Sequence, residues 1–127
     1  LRINNIKFKN AKIGVLGITF KENCADTRNS QVIEIIEYLL NNDININVID
    51  PYLDIKSFKN NNIKSKIVVN FNNIDLLIFA VPHKHFLKFS NKKILGFFGK
   101  KKPIIFDIKS ILNKDYFIKN KTYYWSL

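Results

Sequence analysis

Methionine is absent from this 127-residue sequence, and cysteine and tryptophan occur once each. The single thiol, Cys24, cannot close an internal disulfide, so nothing points to an oxidising compartment and a reducing cytoplasm is the expected setting. With no Met and a bulky Leu at position 1, the chain is expected to be a fragment of something longer, residues 1–11 being a lead-in from a missing upstream region. No apolar run approaches the roughly 20 residues of a membrane span, and Leu1-Arg2-Ile3-Asn4-Asn5 is too polar for a signal peptide. No membrane partner is expected. Arginine is nearly absent too, occurring as Arg2 and Arg28 only. Acidic residues are scarce, 10 against 21 Lys and Arg, giving a net charge of +11 and a pI of about 9.8. Such a balance favours polyanions. The lysines, however, are scattered, Lys100-Lys101-Lys102 is the only dense cluster, and no nucleic-acid partner is expected.

What is present suits one globular domain with one real core: 46% of residues are hydrophobic, and no repeat or low-complexity linker interrupts them. Short apolar runs alternate with helical patterns. Lys12 to Gly17, Ile44 to Ile49, Ile67 to Val69, Asp75 to Val81 and Pro103 to Asp107 read as strands, with Thr122 to Trp125 a last, edge strand. Ser30 is a good N-cap for a helix whose Val32, Ile35, Ile36, Leu39 and Leu40 share a face. Asn41-Asn42-Asp43 ends it. Shorter helices are expected over Ile55 to Asn60, His85 to Phe89 and Lys92 to Phe98. Continuous apolar strands alternating with helices predict an α/β, doubly wound, mostly parallel sheet with helices on both faces.

In such sheets ligands bind beyond the strands' carboxyl ends. The loop after the first long strand, Gly17 to Ser30, places Lys21, Asp26, Arg28 and Ser30 there, which points to an anion, most naturally a phosphate. Arg28, with its planar fork among so many lysines, either grips that anion or pairs with Asp26 or Glu22 to stiffen the loop. Lys109, after the Pro103 to Asp107 strand, either joins Lys21 and Arg28 in a cationic pocket or is simply solvated. The dinucleotide fingerprint G-x-G-x-x-G is missing: Phe20-Lys21 stands where glycines would let a pyrophosphate approach. Asp50 imitates a ribose-binding acid or merely opens the turn before Pro51. His83 and His85 lack the partners of a metal site. Cys24 lacks a His partner, and no catalytic set assembles.

The stretches Gly17-x-x-Phe20-Lys21, Asp26-x-Arg28-x-Ser30, Asp50-Pro51, Pro82-His83 and Asp107-Ile108-Lys109 together resemble the C-terminal domain of the UDP-glucose/GDP-mannose dehydrogenases. FKENCADTRNSQVIEII is most similar to the branch that oxidises UDP-N-acetylhexosamines, the Vi-antigen type. The resemblance implies a Rossmann-like UDP-sugar-binding domain over residues 12–127. Within it Phe20, Lys21 and Lys109 would contact the UDP-sugar, Arg28 would reach ligand or a neighbouring domain, and Asp26 and Ser30 would shape the loop. It implies a full enzyme, a homodimer or larger, that oxidises the sugar's C6 alcohol to a carboxylate for surface polysaccharide synthesis. NAD would sit in a missing N-terminal domain and the catalytic cysteine would belong to a central region. Cys24 is not in the catalytic context, Ala25 stands where many members have Pro, and Ser30 where the acetamido-sugar branch often has Thr. This chain alone is therefore expected to be inactive. The rival readings are a stand-alone nucleotide-binding module and a basic nucleic-acid-binding domain.

Overall fold

The computed structural model describes residues 2–3, 6–7, 10–28 and 30–127, the first two pairs by their backbone alone. The lead-in expected over 1–11 lies partly outside these residues. Within it, β1 (Arg2–Ile3) and β2 (Ile6–Lys7) pair antiparallel.

The main sheet has five strands, all parallel, in the order β4-β3-β5-β6-β7. They are β3 (Lys12–Leu16), β4 (Asn45–Ile49), β5 (Leu76–Phe79), β6 (Ile104–Asp107) and β7 (Tyr123–Ser126). β3 has neighbours on both sides, in register Ile13 to Ile46 and Ile13 to Leu76. The period of two divides its residues between two cores. Ile13 and Val15 join Ile46 and Val48 beneath α1 (Gln31–Asn41) and α2 (Asn61–Lys64). Leu16 joins Leu77, Phe79 and Ile105 beneath α3 (Lys84–Leu87), α4 (Asn91–Gly96) and α5 (Lys114–Lys119), which contribute Phe86, Ile94 and Phe117. The doubly wound, two-faced sheet is as expected. Each fully buried Phe or Ile contributes about 1.5–3 kcal/mol relative to exposure.

Three local expectations are corrected and one helix is added. No helix forms over Ile55 to Asn60; a separate short helix, α2, starts at Asn61, because the Asn60 side chain accepts the Ile63 amide and so caps a helix instead of ending one. Ile67 to Val69 is no strand: one bridge joins Val48 to Ile67, and Val69 is 95% exposed. Helix α5 was not anticipated. It buries only Phe117 and starts from an Asn113 cap, a pattern too short for periodicity to show. In α1, Ile36 faces the core with Val32, Leu39 and Leu40, but Ile35 is half-exposed; a hundred degrees per residue turns it away from Ile36.

Candidate functional site

β4 lies on one side of β3 and β5 on the other, so the chain winds away from β3 in both directions. A crevice opens where the directions diverge, at the carboxyl ends. Here it is a cleft of about 510 Å³, within the roughly 300–1,000 Å³ usual for small-ligand sites. Phe20 and Lys21 line it from the loop after β3, Pro82 from the loop after β5, and Lys109 from the loop after β6, while Val32 and Ile35 of α1 add an apolar wall. Both lysines are exposed, and Phe20 is 54% exposed. Ser30 also lines the cleft.

The loop from Gly17 to Ser30 is closed by its own hydrogen bonds. Gly17 has φ 90°, and a Cβ built there would come within 2.5 Å of the Val81 Cβ, so the two loops meet where only hydrogen fits. The Ser30 hydroxyl donates to the Ile18 carbonyl (2.7 Å) and accepts the Ile33 amide (3.4 Å), capping α1 while drawing the loop shut. The Phe20 amide donates to the Asp26 carbonyl (2.6 Å).

Arg28 takes the stiffening role. Its Nε and an Nη donate to the two Asp26 oxygens at 3.1 and 3.0 Å, and its amide donates to Oδ1 at 2.9 Å. The Arg28 side-chain hydrogen bond, then its backbone one, holds the Asp26 carboxyl below the ordinary carboxylate range. The Arg28 side chain is 86% exposed, and neither residue lines the cleft. Of the expected site residues, the structure therefore brings Phe20, Lys21, Lys109 and Ser30 together and leaves Arg28 and Asp26 paired beside them.

Behind the cleft stands a buried polar cluster. Asp50 Oδ2 accepts the amides of Ile18 (2.7 Å) and Thr19 (3.2 Å), and Oδ1 accepts the Tyr52 amide (2.9 Å). The His83 Nε2 lies 3.2 Å from Oδ2 and 3.1 Å from the Thr19 hydroxyl. Burial works against the Asp50 charge, but the His83 hydrogen bond and the Ile18 amide outweigh it, and the carboxyl sits below its ordinary range. The other His83 nitrogen, Nδ1, accepts the Asn23 amide (2.9 Å). The sequence leaves Asp50 between a ribose-binding acid and a turn residue, and offers His83 no metal-site partners. Asp50 does make the turn, but it also ties three segments together, and His83 is fully buried. Nothing in the sequence marks Asn23 for a role of its own. Its left-handed φ of 57° is the one trait that an Asn in a polar loop could have signalled.

These contacts differ from those of the dinucleotide fingerprint. The Asp50 oxygens are already engaged, so none is offered to a ribose, and Gly17 is required by Val81 rather than by an approaching pyrophosphate. Helix α1 starts at Gln31, far beyond the turn, so its N-terminus does not open directly from β3 as the fingerprint needs.

Residues 14–114 match the family model described as the UDP binding domain of the UDP-glucose/GDP-mannose dehydrogenase family. The chain is 40% identical over 114 residues to Protein CapL of Staphylococcus aureus, covering 87% of this chain and 26% of that protein. It is 32% identical over 108 residues to the UDP-N-acetyl-D-glucosamine 6-dehydrogenase of Salmonella typhi, covering 84% and 25%. Among solved structures, it is similar to an NDP-N-acetyl-D-galactosaminuronic acid dehydrogenase from Methanosarcina mazei Go1, with a TM-score of 0.78 at 20% identity over 94% of this chain and 25% of the other; this likeness speaks to the fold. It is also similar to a UDP-D-ManNAc dehydrogenase from Pyrococcus horikoshii, with a TM-score of 0.64 at 27% identity over 87% and 24%. The chain thus spans about a quarter of the length of these relatives. A parallel sheet whose switch-point cleft is lined by Lys21, Glu22 and Lys109, together with the family match over residues 14–114, assigns the chain to the UDP-glucose/GDP-mannose dehydrogenase family, as a UDP binding domain.

Proposed function

We propose that this domain holds the UDP end of a UDP-hexose or UDP-N-acetylhexosamine for an NAD-dependent 6-dehydrogenase that forms the uronic acid for surface polysaccharide. The observation that carries the reading is the meeting of Lys21 and Lys109, from two separate loops, beside the open ring of Phe20 in one cleft. Two ammonium groups suit a diphosphate, and an exposed aromatic face suits a flat base or a sugar ring. NAD and the catalytic cysteine belong, in this reading, to NAD-binding and central domains of the whole enzyme, a cytoplasmic homodimer or larger. The Asp26–Arg28 pair stiffens the loop beside the cleft and exposes the guanidinium to ligand or a neighbouring domain.

Calorimetric titration of UDP tests the site. Lys21→Ala and Lys109→Ala should each weaken binding by roughly 1.5–3 kcal/mol, about ten- to a hundred-fold. Lys56→Ala, on an exposed turn, should bind as the native chain does. Equal weakening by all three would mean diffuse charge attraction and no defined site. The chain mixed with UDP-sugars and NAD should produce no NADH, and steady turnover proportional to protein would refute the division of labour.

A further inference from the structure

We propose that Asn23 and His83 form a clasp that positions the Phe20–Lys21 turn over the cleft, making both of them positioning residues for the ligand bound there. The inference rests on the UDP-binding reading and adds to it the device that holds the binding loop in place.

Asn23 grips the opposite loop with both its main chain and its side chain. Its amide donates to His83 Nδ1 (2.9 Å), and its side-chain oxygen accepts the Lys84 amide (2.8 Å). Lys84 is the first residue of α3, and His83, at the cap position, gives that helix no side-chain hydrogen bond; Asn23 does so from another loop. The left-handed backbone of Asn23 allows both bonds at once, and Asn tolerates that conformation better than most residues.

His83 is the rigid half of the clasp. Because the Asn23 amide is a donor, Nδ1 must offer a lone pair, so the ring proton sits on Nε2 and faces Asp50 and Thr19. The ring is fully buried and lies against Tyr52 and Phe86, centroids 4.6 and 5.4 Å away. Lys21 is thus bracketed. On one side Thr19 is tied to Asp50 through its amide and donates its hydroxyl to the Lys21 carbonyl (3.0 Å). On the other side Asn23 is tied to His83. Among the described residues no ion pair occupies the Lys21 ammonium. A loose turn would have to be ordered when ligand arrives, and that cost would come off the affinity; a clasped turn avoids it.

Three variants of the chain separate positioning from mere packing. Asn23→Gly accepts the backbone angle and keeps the amide, but loses the hold on Lys84. His83→Asn puts an oxygen near Nδ1 and keeps an acceptor for Asn23. His83→Gln keeps a donor toward Asp50 and loses that acceptor. Amide hydrogen exchange should be at least about fivefold faster at Lys84 in Asn23→Gly and at Asn23 in His83→Gln, with Asn23 protection retained in His83→Asn. UDP affinity should fall about five- to tenfold in Asn23→Gly and His83→Gln, and less in His83→Asn. Native-like UDP affinity in Asn23→Gly, or equal losses in the two His83 variants, would overturn the proposal. If the native chain binds no UDP, the UDP reading fails for this chain, and the exchange data alone judge the clasp. An unprotected Asn23 amide in the native chain, or equal protection in both His83 variants, then refutes it; the graded pattern supports it.

Discussion

Replacing Asp50 by Asn changes one atom yet should cost the fold heavily. Oδ2 receives two amides and the His83 imidazole, while Oδ1 receives the Tyr52 amide. Every neighbour is a donor, and a carboxylate is acceptor-only. An amide has one oxygen. If that oxygen takes the place of Oδ2, the new NH₂ faces the Tyr52 N–H; if it takes the place of Oδ1, the NH₂ faces three donors. Either orientation leaves a buried donor unmatched and removes the charge assistance of the remaining bonds. An unsatisfied buried group costs about 1–3 kcal/mol, and a bond to a charged group contributes about 1.5–3 against about 1 for a neutral one. The expected loss is about 3 kcal/mol, read from urea midpoints at unchanged slope. Asp54→Asn, at an exposed carboxylate that accepts the Lys56 amide (3.2 Å), should stay within about 0.5 kcal/mol of native. The sign of the pH dependence follows from the lowered Asp50 value. Below the ordinary Asp range, about 3.9, the unfolded chain takes up a proton that the folded chain still refuses, so unfolding is favoured. The stabilisation is present above that value and is lost as pH falls from it through the folded one. Asp26, also lowered, acts in the same direction. Asp50→Asn should flatten this acid limb. Native stability and a native acid limb in Asp50→Asn would refute the account of the cluster.

Gly17→Ala should destabilise by at least about 2 kcal/mol, since the new Cβ meets Val81 and φ is 90°; an unchanged melting temperature would refute the close approach. Gly96→Ala, where a Cβ meets nothing within 4 Å in α4, should stabilise by about 0.4–1 kcal/mol in the same melt, and a loss would disprove it. Tyr124 donates its hydroxyl to buried Asp107, and burial, then that bond and charge, pushes its ionisation above the ordinary tyrosine range. In an alkaline absorbance titration Tyr124→Phe should remove a phenol that ionises above the ordinary tyrosine range. Above pH about 10 the unfolded chain loses a proton that the folded chain keeps, so stability falls with rising pH. Tyr124→Phe should lessen that alkaline fall and cost about 1–2 kcal/mol at neutral pH; a variant as stable as native would refute the bond.

The sequence by itself determined the fold class and the place of the candidate site at the strands' carboxyl ends. Runs such as Leu76 to Val81, apolar at every position, call for cover on both faces, and their alternation with helical patterns points to a parallel sheet between helices. A polar loop after the first such strand then opens at the carboxyl edge, which placed Phe20, Lys21 and Lys109 correctly on one side of the molecule. Ser30 was legible as a cap because capping is local chemistry. The tertiary structure decided what depends on partners distant in the chain. Nothing near Asp50 announces that its oxygens will be used by Ile18 and Thr19, far upstream, and by His83, as far downstream. The role of Asn23 likewise exists only once the loops after β3 and β5 touch. Arg28 shows the opposite limit: Asp26, two residues away, was a visible partner, but only geometry chose between pairing with it and facing the cleft. Local sequence encodes which groups are available; the fold decides which of them meet, because a hydrogen bond needs a partner at about 3 Å, and only tertiary packing brings distant segments that close.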